Sequence, residues 1–223
     1  MHITATWGDD GRTGVGVSSD AKGATVSLLV VDAPLSPSAD VTAVAAAVVA
    51  PEKFVAELSV GGAGLSVPVA SALLREFGEQ GLMTVARRPS REAVGSVGMT
   101  VVLDWSGEGW VALARGDDRR GIVVAPLPLG EFSGRLFSVG RFALACSSSS
   151  TEPTSSTADL SHQVAAAILI AERLRCDSIT VPRKWLGADD RFEGRAIRLA
   201  DVVGLRLEFV EEIDREWVGV RNV

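Results

Sequence analysis

The residues best placed to do chemistry are His162, Cys146 and two sets of small polar or flexible residues that precede alanine-rich segments. The first set is Gly61-Gly62-Ala63-Gly64-x-Ser66, and the second runs from Ser147 through a serine- and threonine-rich stretch to Ser161. Each leads into an expected helix. The backbone N–H groups at a helix start are unpaired and the helix dipole favours negative charge there, so each start is a seat for a carboxylate. Gly61, Gly62 and Gly64 let a ligand approach the backbone closely, while Ser66, Ser147 and Ser161 supply hydroxyls or caps. His162, one or two residues into the second helix, is the residue type expected to serve there as a neutral base. Cys146 closes a strand before the serine loop, where a thiol near a helix start can carry a proton. The alternatives are ordinary capping for the serines, a solvated histidine, and a small buried apolar residue for Cys146. Cys176, at the end of the second helix, is expected to be inert, and His2 to be structural. No GxSxG elbow accompanies the serines, and Gly14-Val15-Gly16 is too short for a nucleotide loop.

These residues sit in a chain of 223 residues that looks duplicated. Leu65, Ser66, Val69, Ala70, Ala72 and Leu74 fall on Leu160, Ser161, Val164, Ala165, Ala167 and Leu169 at a constant offset. Thr84-Val85-x-Arg87 then meets Thr180-Val181-x-Arg183, and Trp110-Val111 echoes Trp217-Val218. Two related units, 1–116 and 121–223, would place a site in the cleft between them.

The elements follow from periodicity and punctuation. His2–Trp7, Val15–Ser18, Thr25–Val31 and Phe54–Val60 read as strands, with a turn at Gly8–Gly11. Val41–Val49, capped by Ser38 or Asp40, reads as a short helix, although its β-branched residues also permit a strand. The first clear helix starts at Ser66 with Pro68 in its first turn; it carries Val69, Leu73 and Phe77 on one face and stops at Gly78 or Gly81. Strands are expected at Met83–Arg87, Gly98–Asp104, Trp110–Ala114, Gly121–Leu127 and Leu136–Cys146. Ser147–Thr157 is a polar loop, and a second helix spans Leu160–Arg175, capped by Asp159 or Ser161. Ile179–Arg183, Ala196–Leu199, Leu205–Val210 and Trp217–Val220 complete the strands. The fold class expected is α+β: two pseudo-symmetric halves, each a mostly antiparallel sheet wrapped around one helix.

That arrangement, with Asp40-Val41, Ser59-x-Gly61-x-x-Gly64-x-Ser66, Val69-Ala70 and Glu76-x-Gly78-x-x-Gly81-Leu82, resembles the diaminopimelate epimerase superfamily, in particular its methylaconitate-isomerase branch. Ser161-His162 and Trp217-Val218-Gly219-Val220 are similar to segments of that branch and of the phenazine-biosynthesis members. The resemblance implies a cofactor-independent isomerase acting on a small carboxylic acid by proton transfer, or a related cyclisation or rearrangement. This chain departs from the family's epimerases in having no cysteine in the first loop. A non-catalytic small-acid binding or assembly subunit on the same scaffold, or a double-hotdog protein acting on acyl thioesters, are the other readings.

Composition narrows the classes. The formal net charge is −6, the pI is near 5.0, and no basic cluster exceeds Arg87-Arg88 or Arg119-Arg120, so nucleic acid is not an expected partner. The cysteine and histidine spacing matches no metal site, and no cofactor is required. No signal peptide opens the chain and no apolar run is long enough to span a bilayer, so a cytoplasmic protein without membrane contact is expected. The duplicated architecture is compatible with a homodimer.

Overall fold

A computed structural model describes residues 2–7, 11–18, 26–31, 35–54, 59–60, 64–78, 87–88, 100–103, 121–128, 137–138, 143–148, 157–183, 186 and 190–211. The class is α+β. Strands β1 (His2–Trp7), β2 (Thr13–Ser18) and β3 (Val26–Val31) form an antiparallel meander and lead to helix α1 (Ala39–Val49). A 3₁₀ turn (Pro51–Lys53), β4 (Ser59–Val60), β5 (Leu65–Ser66) and α2 (Val67–Phe77) follow. Next come β6 (Arg87–Arg88), β7 (Thr100–Leu103), β8 (Gly121–Pro128), β9 (Phe137–Ser138) and β10 (Ala143–Ser148). The chain then continues through α3 (Thr157–Leu174), β11 (Ser178–Pro182), α4 (Asp190–Val202) and β12 (Arg206–Val210).

Ten strands share one sheet in the order β12-β11-β7-β8-β10-β3-β2-β1-β4, with β9 on β10; β5 and β6 pair separately. From β12 to β10 every neighbour is parallel. Burial explains the composition of this group: all five residues of β11 are buried, as a strand covered on both faces requires. The expected pair of antiparallel sheets, each enclosing its own helix, is therefore not what the described residues form. They form one mixed sheet, because β7 pairs with β8 and β11 rather than closing on strands of its own half. The boundary expected between residues 116 and 121 lies outside the described residues.

The antiparallel and parallel parts meet at β10. Among the described residues, β10 and β3 are in register at Ser148↔Val31. Lower on the same edge of β10, Leu144 and Ala145 pair with Ser138 and Phe137 of β9. β10 thus has a parallel neighbour, β8, on one side and antiparallel neighbours, β9 and β3, on the other.

Two helices fill the core. From Asp40 to Val48 every residue of α1 is buried, and from Gln163 to Ala171 so is every residue of α3. A helix that is apolar all round belongs in the middle of a fold. Alanines at Ala43, Ala45, Ala46 and Ala47 on α1 and at Ala165, Ala166, Ala167 and Ala171 on α3 let the two pack against each other. The Ser38 amide, at the start of α1, donates to Glu172 Oε2 at 2.8 Å. Because α3 ends two residues beyond Glu172, α1 packs along it only by running the opposite way. Helix α1 also touches β1, β2, β3 and α4, and α4 rests on β12.

Local chemistry sets the ends. Ser38 caps α1, its Oγ accepting from the Val41 amide. Thr13 Oγ1 donates to Leu35 O at 3.0 Å and accepts from Leu35 N at 2.8 Å, pinning the approach to α1 against β2. Arg175 (φ 57) and Gly204 (φ 78) occupy the left-handed position after α3 and α4. There the amides of Cys176 and Leu205 return to the carbonyls of Ala171 and Ala200, a Schellman closure in each case.

Two expected elements are corrected. Ala196–Leu199 is not a strand but the middle of α4, whose inward face is Phe192, Ala196, Leu199 and Ala200. Leu136–Cys146 is not one strand, since β9 and β10 are separate and antiparallel.

Candidate functional site

The first loop is held by its exit. Gly64 adopts φ 72, a backbone conformation that glycine enters without penalty, and Leu65-Ser66 then pairs with Arg87-Arg88. Ser66 is the N-cap of α2, but its side chain makes no capping bond. Its amide instead donates to Asp40 Oδ1 at 2.8 Å, and both residues are buried. Gly61 and Gly62 lie outside the described residues.

The second set gathers where β10 gives way to α3. Cys146 is in register with Pro126 and Ser147 with Leu127 of β8. The chain rejoins the described residues at Thr157, where α3 begins, earlier than the expected Leu160. Neither Asp159 nor Ser161 is therefore the cap. Helix amides from the fourth residue onward are spent on carbonyls one turn back, so the unpaired N–H groups belong to residues 157–159 rather than 160–162. Ser161 is buried and His162 half-buried on the second turn. Both have hydrogen-bonded or electrostatic partners.

The two sets stand at different ends of the core. Ser66 is tied through Asp40 to the first turn of α1, where Ser38 meets Glu172 near the end of α3. His162 lies ten residues before Glu172, about 15 Å back along the helix at ~1.5 Å per residue. The expectation that both helix starts open on one crevice gives way to this arrangement, because α1 and α3 are antiparallel and each anchors a different set. The structure brings Cys146, Ser147, Ser161 and His162 to neighbouring elements and leaves Gly64 and Ser66 apart from them.

No family, curated protein or solved structure matches the chain.

The carboxyl end of the parallel strands holds further charged groups that sequence reading passed over. Arg183 follows β11 and pairs with Glu193 of the first turn of α4, and its Nε lies 3.5 Å from Glu211 Oε1 after β12. The spacing of these residues in the chain carries no hint of the cluster, which depends on β11 and β12 being parallel neighbours. Among the described residues no group of three His, Cys, Asp or Glu side chains is arranged to hold a metal, and no helix is long and apolar enough to cross a membrane. Cys176 is buried, and burial, aided by Asp177, pushes its thiol up to about 11, so it is protonated at neutral pH.

Proposed function

We propose that the protein binds a small carboxylic acid at the carboxyl end of β10 and moves a proton on it without a cofactor, as an isomerase does. The observation that carries this reading is the change of strand direction at β10, which is parallel to β8 and antiparallel to β3 at Ser148, ahead of the helix that bears Ser161 and His162. Ligands of sheets with parallel strands bind outside the strands' carboxyl ends, where strand order or direction changes. In the proposed reaction the acid's carboxylate lies over the unpaired amides of residues 157–159. A ring nitrogen of His162 takes the proton from the adjacent carbon, leaving an enolate whose charge faces the same amides. The proton returns at the other face or at another carbon, from the His162 imidazolium or from Cys146. The proposal rests on these residues and not on kinship with the diaminopimelate epimerases, for which one mixed sheet offers no support.

A second reading is favoured by the distance between Ser66 and His162: the same site binds the acid and catalyses nothing. The deciding experiment incubates the protein in D2O with a panel of small carboxylic acids. NMR then follows both deuterium uptake at carbon and perturbation of the His162 ring signals. Deuterium uptake that is lost in His162→Gln, with unfolding midpoint unchanged, supports the isomerase. Ring perturbation without uptake supports binding alone. Neither response to any acid removes the site.

A further inference from the structure

Strand β12 stands at one edge of the sheet, and among the described residues it pairs only with β11. The Arg206 amide donates to Asp177 O at 2.9 Å, so the main-chain groups of Arg206 and Glu208 face β11. Successive peptide groups of a strand point to opposite sides, so those of Leu207 and Phe209 face outward. Side chains alternate between the two faces of the sheet. Leu207 is buried towards the core, as is Leu205 just before the strand. Arg206 and Glu208 lie on the opposite face with 72% and 45% of their side chains exposed, and Arg206 Nε is 3.1 Å from Glu208 Oε1.

We propose that this edge pairs with the same edge of a second copy of the chain, antiparallel, so that the sheet continues across a twofold axis. An axis perpendicular to the sheet keeps Leu207 on the core face in both copies and passes through one residue of the strand. Centring on Arg206 or on Glu208 sets like charges face to face, which destabilises the contact. Centring on Leu207 sets Arg206 of each copy opposite Glu208 of the other. Leu207 then exchanges main-chain hydrogen bonds with its counterpart through its outward-facing groups. The two charge pairs fall at the flanking positions without main-chain bonds, where side chains approach most closely. The contact of Arg206 with Glu208 inside each copy is retained, so the four charges alternate in sign both along and across the strands. The order of charges thus selects one register of one partner. The paired segment is short, Leu205–Phe209 in each copy, so the association is transient rather than obligate.

The test follows the full chain by sedimentation velocity and by amide hydrogen exchange as its concentration is raised. The parent should move from monomer towards dimer, and the Leu207 and Phe209 amides should gain protection as it does. Arg206→Glu and Glu208→Arg, both at exposed positions, should each weaken association about tenfold or more, since each turns two cross-strand attractions into repulsions. An equal mixture of the two variants should associate again. So should the double swap Arg206→Glu/Glu208→Arg, which leaves the net charge of the chain unchanged. His162→Gln should associate like the parent, which separates this edge from the proton-transfer site. A parent that stays monomeric at every concentration, Leu207 and Phe209 amides already protected in the dilute monomer, an association indifferent to the single reversals, or one that neither the mixture nor the double swap restores would each overturn the proposal.

Discussion

The carboxylate of Asp40 accepts the backbone N–H of Ser66 at 2.8 Å, so the first turn of α1 fixes the start of α2 although 26 residues separate them. Both partners are buried, and the bond is charge-assisted. Asp40→Ala leaves the Ser66 amide without an acceptor and should cost about 2–3 kcal/mol. Asp40→Asn keeps an oxygen acceptor and should cost about 1 kcal/mol. Urea unfolding of the three proteins checks the order, and equal midpoints for Asp40→Ala and the parent would remove this contact from the fold's support.

The two Schellman closures predict opposite signs for small substitutions. Arg175 holds φ 57 with a side chain, a conformation that strains every residue with a Cβ. Arg175→Gly should stabilise by about 0.5–1 kcal/mol, the strain relieved less the extra entropy of glycine in the unfolded chain. Gly204 holds φ 78 with nothing within 4 Å of where a Cβ would stand. Gly204→Ala should therefore destabilise by about 1 kcal/mol through backbone strain alone. Thermal melts of both variants against the parent read the difference directly.

Cys176 gives the alkaline limb of stability a specific cause. Its thiol is raised from 9.0 to about 11 in the folded chain, chiefly by burial. The folded state then binds more protons than the unfolded state between those values. The contribution is complete below pH 9 and is lost as pH rises towards about 11. The chain has no tyrosine to titrate in that window. Cys176→Ala should flatten the fall in unfolding free energy over this range, and in a Cys146→Ser background the native protein should resist thiol reagents at pH 8. A parent and variant with parallel pH profiles would contradict the assignment.

Helix α2 was legible in the sequence because every cue agreed: Ser66 before it, Pro68 in its first turn, Val69, Leu73 and Phe77 at helical spacing, and Gly78 at its end. Helix α1 was ambiguous because it is buried on all sides, and a helix with no polar face has no periodicity to read. Only the capping candidates, Ser38 or Asp40, separated helix from strand. Helix α4 was missed although Phe192, Ala196, Leu199 and Ala200 recur at helical spacing, since four apolar residues at 196–200 read locally as a strand. The matched run at Leu65–Leu74 and Leu160–Leu169 ends in helix in both copies, α2 and α3. Its first two positions form β5 in one case and lie inside α3 in the other. The candidate site was legible only as residue types, at Cys146, Ser147, Ser161 and His162. Its separation from Ser66 was not, because that follows from the antiparallel pairing of α1 with α3, which depends on contacts between residues more than a hundred positions apart.

The place of β7 has a consequence for how the chain is made. Residues 100–103 leave the ribosome before either strand that will flank them, and the second flank, β11, emerges some seventy-five residues later. Until then the centre of the future sheet is an open edge, a template for unwanted partners. Productive folding must wait until β11 has been made, so nascent chains stopped short of Ser178 should depend heavily on chaperones, and synthesis rate should govern yield more than final stability does.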